Sequence, residues 1–320
     1  MDTEVTDLVC VFDPEDIETQ LKMSYVISVG WDKKINIWPD EKEEEVEPSK
    51  ILPQGGQAGH LDDIMSCVYC LKNGMIYTGA HDGTIIAWNF ETGYAKYSLH
   101  QHDPTCTSKN YIKEAKSVDQ LLIMDVRDKL VSMTADQHLR FWNLNELSDT
   151  KQPSFKFHCK HPDDDGLTAV AVTKDNDIVV TGDTSGQLKM WDISDVDLDE
   201  QTTDSKFIEK YFIIAHRAHI NSIQIVEEKN IKSDRFIITA SNDNNINLHR
   251  LSNGVLIGQF GQANGWNIHD MSPYENKKPR YVREWYLKLK ARMKQIRAQK
   301  EEGESPSKLT EGRQPTQVPT

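Results

Sequence analysis

The stretch YTGAHDGTIIAW, Tyr77 to Trp88, decides the fold of this chain. It contains an apolar run, an Asp-Gly pair and a second alternating run, which is the pattern of two antiparallel strands joined by a tight turn. A tryptophan ends the second run. Similar stretches end at Trp38, Trp142 and Trp191, so Tyr77 to Trp88 is one unit of an internal repeat.

Five segments share this pattern with the same internal offsets. They are YVISVGWDKKINIW (25–38), MIYTGAHDGTIIAW (75–88), LVSMTADQHLRFW (130–142), IVVTGDTSGQLKMW (178–191) and FIITASNDNNINLH (236–249). Their last residues are 50, 54, 49 and 58 positions apart. Six residues before each end stands an Asp, or Ser185 in the fourth segment, and four residues before that stands a Ser or Thr. These offsets indicate a repeat rather than chance alternation.

One hairpin cannot bury both of its faces alone. A further strand precedes the second hairpin, DIMSCVYCL (63–71), and another follows it, YAKYSLH (94–100), which predicts four antiparallel strands per unit. Four-stranded sheets stacked around an axis form an all-β propeller, which holds about four to eight blades. Five visible units predict either a small or irregular ring, or a portion whose missing blades come from an absent N-terminal segment or a partner. An open ring would leave unpaired strand edges at LVCVF (8–12) and VLIGQF (255–260).

Over about the first 265 residues the segments resemble WD repeats, with the family's dipeptide at Trp191-Asp192 and altered forms at Trp88-Asn89 and Trp142-Asn143. In that family a buried His, Ser/Thr, Asp and Trp form a hydrogen-bonded network within a blade. The resemblance implies a complete network in the second repeat and a partial one in the fifth, through His60, Thr78, Asp82, Trp88, His216, Thr239 and Asp243. A structural role for both histidines is favoured over a catalytic one.

Other repeats depart from the family pattern. His249 takes the place of the tryptophan in the fifth repeat. The first, third and fourth repeats lack the histidine at its expected place, which implies that those blades are less rigid.

A narrower resemblance concerns KSVDQLLIM (116–124) and IGQFGQANGW (257–266), which are similar to segments of ciliary axoneme WD-repeat proteins. Members of that family often carry an EF-hand segment followed by two propellers, and this chain would correspond to the later propeller. The nearest EF-hand candidate is DVDLDEQTTDSK (195–206). It has Glu200 where the loop requires Gly and Lys206 where the bidentate Glu belongs, so we interpret it as a solvated acidic loop.

Composition excludes several classes of protein. No apolar run approaches the roughly 20 residues of a membrane-spanning helix, and the first residues, MDTEVTDLVCVFDPED, are acidic, unlike a secretory signal. The five cysteines are irregularly spaced, which favours reduced thiols and a cytosolic location. Cys67 and Cys70 lie in a predicted strand, where a separation of three places them on opposite faces. No phosphate loop, zinc-helix motif or catalytic constellation is found, so no cofactor and no metal are expected.

Insertions in the loops are the candidate sites for partners. PDEKEEEVEPS (39–49), DISDVDLDEQTTDS (192–205) and EEKNIKSD (227–234) are predicted on one face of the propeller. QHDPTCTSKNYIKEAKSVD (101–119) links two blades and is predicted on the opposite face. Either solubility or partner binding would explain the acidic loops.

Composition changes after Trp266. We predict blades over 1–265, a linker over 266–278, a basic amphipathic helix over 279–301 and a disordered tail over 302–320. Residues Lys277 to Lys300 have a net charge of +9. The whole chain has a net charge of −13, so the other residues together have −22. The predicted partner-binding residues of the helix are an apolar stripe and three lysines: Trp285, Leu289, Met293, Ile296, Lys288, Lys290 and Lys294.

This helix could dock on its own propeller or bind another protein. A stripe of this kind needs an apolar groove, which favours another protein, such as tubulin or a neighbouring scaffold in an axoneme. A calmodulin target and a membrane-surface helix have the same character.

The sequence therefore predicts a non-catalytic interaction scaffold, most specifically a structural component of the ciliary axoneme. The alternative is a substrate adaptor of a ubiquitin ligase. Some such adaptors carry W-D-x-R at a blade end, whereas Trp191-Asp192 is followed here by Ile193-Ser194. The third hypothesis is an enzyme. Nucleic acid is not expected to bind the propeller, because its net charge of −22 repels the phosphate backbone.

Overall fold

Five hairpins of the predicted kind are present in the computed structural model. It describes residues 4–12, 23–40, 47–100, 117–134, 136–147, 151–159, 161, 166–199, 207–227, 235–266, 268, 270 and 272–274. Each hairpin has one more strand on either side, so five four-stranded antiparallel sheets follow one another along the described chain. This confirms the predicted all-β propeller with five blades.

Each blade uses four consecutive strands in spatial order. Blade 1 comprises β1 (Val5–Phe12), β2 (Met23–Gly30), β3 (Ile35–Pro39) and β4 (Lys50–Leu52). Blade 2 comprises β5 (Ile64–Cys70), β6 (Met75–Ala80), β7 (Thr84–Asn89) and β8 (Ala95–His100). Blade 3 comprises β9 (Val118–Met124), β10 (Lys129–Thr134), β11 (His138–Asn143) and β12 (Phe155–His158). Blade 4 comprises β13 (Leu167–Val172), β14 (Ile178–Asp183), β15 (Gln187–Asp192) and β16 (Ile208–Ile214). Blade 5 comprises β17 (Ile220–Val226), β18 (Phe236–Ser241), β19 (Ile246–Arg250) and β20 (Leu256–Gln259), and a 3₁₀ helix follows at Ser272–Tyr274.

The Asp82-Gly83 turn between β6 and β7 has the geometry that its residues favour. Gly83 has a φ of 81°, a left-handed conformation that favours glycine, and its N–H donates to the Ala80 carbonyl at 3.0 Å. One oxygen of Asp82 accepts the Thr84 N–H at 2.9 Å. The Asp-Gly pair therefore closes the β6–β7 hairpin and sets its register.

Successive blades are joined along their first strands, which contact one another in chain order. Side-chain hydroxyls carry part of this contact, because Thr6 donates to the Ile64 carbonyl at 2.6 Å and Thr168 to the Ile220 carbonyl at 2.7 Å. These bonds use backbone groups that face the neighbouring blade, so each blade fixes the position of the next.

The core consists of apolar layers between adjacent blades rather than one central cluster. One layer joins blades 1 and 2, a second joins blades 2 and 3, and a third joins blades 3 and 4. Cys67 lies in the first layer and Cys70 in the second, so the two thiols are on opposite faces of β5, as the strand pattern predicts. We call the side of a blade that packs on the preceding blade its back face, and the other side its forward face.

The loop insertions connect the strands that the sequence predicted. The segments after Trp38 and Trp191 connect the third and fourth strands of their blades, and residues 227–235 connect the first and second strands of blade 5. Residues 101–117 connect blade 2 to blade 3. Most of these loop residues lie outside the described ranges.

Candidate functional site

A tryptophan on the back face is bonded to a hydroxyl in each of the first four blades. The indole Nε1–H of Trp88 donates to Thr78 Oγ1 at 2.9 Å. Trp88 pairs with Ile76 across the β6–β7 ladder, so Thr78 is its diagonal neighbour on the same face and lies within reach. The other three pairs are Trp38–Ser28 at 2.8 Å, Trp142–Ser132 at 3.0 Å and Trp191–Thr181 at 3.0 Å. Each buried indole N–H thus has an acceptor, which a buried donor requires.

In blade 2 a buried histidine extends this bond into a network. His60 Nε2 lies 2.7 Å from Thr78 Oγ1, and its Nδ1 lies 3.0 Å from Thr84 Oγ1. Asp82 does not contact His60 directly, because Thr84 stands between them and donates to Asp82 at 2.6 Å. Burial lowers the pKa of His60 to about 4, so the ring is neutral at physiological pH and can donate from one nitrogen while accepting at the other.

Blade 5 brings its three predicted residues together. His216 Nε2 lies 2.8 Å from Thr239 Oγ1, and its Nδ1 lies 3.1 Å from the Asp243 carboxylate. Burial disfavours the Asp243 carboxylate, but hydrogen bonds from backbone N–H groups and His216 hold its pKa below the usual range. His249, at the tryptophan position, is buried and makes a long 3.4 Å contact with the Gly254 carbonyl.

The prediction that the fourth repeat lacks its histidine was wrong. His161 supplies it, with Nε2 3.0 Å from Thr181 Oγ1 and Nδ1 2.8 Å from Asp183 Oδ2. The carboxylate comes from Asp183, the last residue of β14. The repeat alignment places Ser185, which has no carboxylate, at the Asp position. The aligned position failed because Asp183 itself reaches the turn and accepts the Ser185 and Gln187 N–H groups.

In blade 3 a buried arginine, which was not predicted from the sequence, pairs with the carboxylate of the hairpin turn. Arg140 is only 1% exposed, and its Nη2 donates to Asp136 Oδ2 at 2.7 Å. Burial opposes ionisation of Asp136, but hydrogen bonds from His138, Arg140 and Thr134 hold its pKa well below the usual range. The signal was present in the Asp–Arg spacing of four across the β10–β11 turn, where a long side chain can fold back on the turn carboxylate.

The acidic segment after Trp191 is solvated only in part: Asp195, Asp197 and Asp199 are exposed, as predicted, but the apolar residues between them are not. Val196 and Leu198 are buried in the layer shared with blade 3. Asp199 pairs with the buried Lys129 and accepts from Asn143 at 3.1 Å. Arg127 donates to the Val196 carbonyl at 3.0 Å. The segment therefore ties blade 4 to blade 3 through its buried apolar side chains, the Val196 carbonyl and the Asp199 carboxylate.

An exposed apolar pair lies at the end of the propeller that carries the hairpin turns. Trp31, in the β2–β3 turn, is 49% exposed, and Leu61, in the connection between blades 1 and 2, is 85% exposed. Lys33 joins the two segments, since its Nζ donates to the Leu61 carbonyl at 2.7 Å. We call Trp31 and Leu61 the turn-end pair. Two large apolar side chains held open on linked turns are typical of contact residues for a protein partner.

Residues 275–320 lie outside the described residues. They include every predicted partner-binding residue of the basic helix, which stay predictions: Trp285, Lys288, Leu289, Lys290, Met293, Lys294 and Ile296. In the described ranges no cluster of three or more His, Cys, Asp or Glu side chains could hold a metal ion. A search of those same residues finds no helix with the length and apolarity to cross a bilayer.

Comparison with known proteins agrees with this geometry. The family model described as "WD domain, G-beta repeat" matches residues 52–89 and 151–192, which contain the third strands of blades 2 and 4 with their tryptophans. Two segments of the chain, in blades 2 and 4, therefore match the WD repeat. No curated protein matches it in sequence.

Among solved structures, the crystal structure of the computationally designed Ika8 protein is similar to the WD-repeat chain, with a TM-score of 0.50 and 19% identity. The alignment covers 80% of this chain and 61% of that one, so this chain spans about three fifths of the length of the structure it matches. At this identity the likeness shows the fold alone. WD-repeat propellers are generally non-catalytic and bind proteins, which leaves the partner to be argued from this chain's own surface.

Proposed function

We propose that the chain is a non-catalytic protein–protein interaction scaffold. The turn-end pair carries this proposal, because it places two exposed apolar side chains on turns that the bond from Lys33 to the Leu61 carbonyl links. His60, His161 and His216 each have both ring nitrogens engaged within a blade, so these histidines support the blades rather than a reaction.

The proposed partners are structural proteins of the ciliary axoneme. Support for this narrower proposal is the resemblance of residues 116–124 and 257–266 to axonemal WD-repeat proteins. Three apolar layers and the tie from blade 4 to blade 3 join consecutive blades of the described chain, which suits a structural role in such an assembly.

Retention of the chain in detergent-extracted axonemes tests both levels of the proposal. Trp31→Ala with Leu61→Ala should lower retention about tenfold, since central apolar contacts carry most of an interface's binding energy. The matched control is Tyr94→Ala with Val126→Ala, which removes two side chains of 60% and 65% exposure from the opposite end of the propeller. A wild-type chain that washes out entirely contradicts the axonemal proposal. Equal losses from the two double variants contradict the role of the turn-end pair.

Tubulin is the proposed partner of the basic segment, and microtubule co-sedimentation measures it. Trp285→Ala with Leu289→Ala should abolish binding if the segment uses an apolar groove. Changing Lys288, Lys290 and Lys294 to Gln should weaken binding less and remove most of its salt dependence. Loss of binding from the lysine changes alone would make the segment an electrostatic tether and contradict the groove.

A further inference from the structure

The back face of blade 1 differs from every other back face in its exposure. In each blade one residue of the first strand lies directly opposite the conserved Ser or Thr, and these residues are Leu8, Cys67, Leu121, Val170 and Ile223. Leu8 is 60% exposed, whereas the other four are between 1% and 8% exposed. The same repeat position is therefore covered four times and open once.

Neighbouring positions on this face repeat the difference. Val26 lies on the second strand, opposite Trp38, and is half-buried. The second-strand residues at the same position of the other blades are completely buried: Ile76, Leu130, Val179 and Ile237. Trp38 is also half-buried, but Trp88 and Trp142 have no exposed surface. The indole of Trp38 still donates to Ser28, so blade 1 keeps the tryptophan–hydroxyl bond of the other blades although its back face is uncovered.

The uncovered surface has apolar residues on all four strands of blade 1, with the polar side chains of Ser28 and Asn36 among them. Leu8 and Cys10 lie on β1, Val26 on β2, Trp38 on β3 and Ile51 on β4, and none of the five is charged. Cys10 is exposed, and Ile51 is 42% exposed. We call these five residues the open face. What is left open is thus a sheet face, not the strand edge expected for an incomplete ring. Contiguous apolar surface of this kind marks an interaction site.

Within the chain, one kind of surface covers the equivalent positions. Trp88 and Cys67 pack against Ile27 and Val29 on the forward face of blade 1. Trp142 and Leu121 pack in the same way on the forward face of blade 2, which carries Tyr77. The open face continues this established interface, so the forward face of a further blade is the shape that fits it.

In the part of the chain that the structure describes, every forward face is already covered, so a second copy has none to offer. The forward faces of blades 1 to 3 are buried by the following blade in the apolar layers, and that of blade 4 approaches β17 through Gly182, which lies against Ile220. On blade 5 the forward face is covered by the chain itself, because Trp266, Ile268 and Tyr274 pack against its buried residues. Gly258 permits this cover, since a β-carbon there would overlap the Trp266 ring. The same cover occupies the face of blade 5 that would meet blade 1 in a closed five-blade ring.

We propose that the open face is a docking surface for the forward face of a four-stranded WD-type blade belonging to a partner protein. The proposal rests on the interaction-scaffold function above and gives it a specific partner class. Docking would bury the Trp38 ring and Leu8, reproducing the layer that surrounds Trp191 and Val170 in blade 4.

Alkylation of Cys10 reports whether a blade covers the open face. Cys67, Cys70 and Cys159 are buried, and a Cys106→Ser background removes the remaining thiol. In the purified chain Cys10 should react with iodoacetamide at the same rate at all protein concentrations. Protection that rises with concentration would identify a second copy as the occupant and overturn the proposal.

The fit itself is tested by adding a blade to the full chain. The added blade is a copy of residues 117–166, placed directly before Val5. It contains blade 3, whose forward face already covers Trp191 of blade 4, and the natural linker that follows blade 3. Cys10 alkylation should slow about tenfold or more, since reaction requires exposure of the thiol. Leu8→Lys with Ile51→Lys should restore the rate, and Tyr94→Lys with Val126→Lys should not. An added copy that stays protease-sensitive, or leaves Cys10 reactive, overturns the proposal.

The partner is tested with Leu8→p-benzoylphenylalanine in the full chain, cross-linked by light in ciliated cells. The expected adduct joins position 8 to the second or third strand of a WD-type blade in another protein. An adduct with this chain, or with a protein that has no such blade, overturns the proposal. If the turn-end variants still lose retention in that case, the scaffold function stands and only the docking of a blade fails.

Discussion

Blades 2 and 5 use the same histidine–threonine pair but end their third strands differently. The imidazole-to-threonine distance is 2.7 Å in blade 2 and 2.8 Å in blade 5. Trp88 then adds a second bond to Thr78, whereas His249 contacts the Gly254 carbonyl instead of Thr239. His249 Nε2 is buried, and no partner for it is found among the described residues.

The difference teaches that the polar pair and the large ring are separable parts of a blade. The histidine–threonine bond joins the segment that precedes the first strand to the second strand of the same blade. It forms wherever that segment contains a histidine. The ring fills the back face and lends its N–H to the same hydroxyl. Blade 5 keeps the first part and gives up the second, leaving a buried ring whose nitrogen is unpaired, which costs stability.

Removal of the ring should separate the two blades most clearly. Trp88→Ala should lower the free energy of unfolding by about 3–5 kcal/mol, because it opens a large cavity in the layer between blades 1 and 2. His249→Ala should cost less, since it removes a smaller ring and an unpaired nitrogen. Urea unfolding at neutral pH measures both. Trp38→Ala is the matched control and should also cost less than Trp88→Ala, because its face is open. Equal losses at Trp88 and His249 would break the comparison.

Acid should destabilise both blades over the same pH window. Burial lowers the pKa of His60 to about 4 and of His249 to about 4, from an ordinary 6.5. The unfolded chain therefore binds more protons than the folded chain between these values, so stability is complete above about pH 6.5 and falls as the pH drops toward 4. Each histidine contributes a loss of about 3 kcal/mol.

His249→Leu should remove the blade 5 share of this loss. Unfolding free energies at pH 7 and pH 4.5 measure the difference, with His219→Leu as a control at a histidine whose surroundings are more open. An unchanged pH dependence in His249→Leu would mean that this ring is not held neutral by burial.

The network of blade 4 offers a sharper test of which residues form the polar pair. Asp183→Ala should cost about 1–3 kcal/mol, because it leaves His161 Nδ1 and two backbone N–H groups without their acceptor. Ser185→Ala should cost less, since Ser185 is bonded to Asp183 and not to the histidine. Thermal unfolding of the two variants side by side decides the point. A larger loss at Ser185 would restore the alignment that the sequence favours.

The smallest effect is expected from supplying blade 5 with the missing ring. His249→Trp should change the free energy of unfolding by less than about 1.5 kcal/mol, because the new indole N–H can donate to Thr239 while the larger ring strains the site. Urea unfolding measures it. A loss of several kcal/mol would show that blade 5 has closed around the smaller residue.

Hairpins and their tryptophan–hydroxyl bonds could be predicted from the sequence because both partners belong to one hairpin. The bond always spans ten residues, and the ladder register between adjacent strands converts that spacing into a fixed distance. The histidines were harder to predict. They stand 18, 20 and 23 residues before their threonines. Blade 5 has a longer loop between its first two strands, and His161 stands six residues before the first strand of its blade, whereas His60 and His216 stand four residues before theirs. A constant offset therefore missed His161.

Contacts between blades were decided by the tertiary structure. Val196, Leu198 and Asp199 lie in an acidic stretch typical of a solvated loop, and only the nearness of Lys129 and Asn143 on blade 3 makes them a tie. The same limit applies to the open face. Leu8 and Val170 are apolar strand residues at the same repeat position, and no pattern within their own segments distinguishes them. Burial is a property of what stands on the other side of the sheet, and that neighbour comes from residues distant in the sequence or from another molecule.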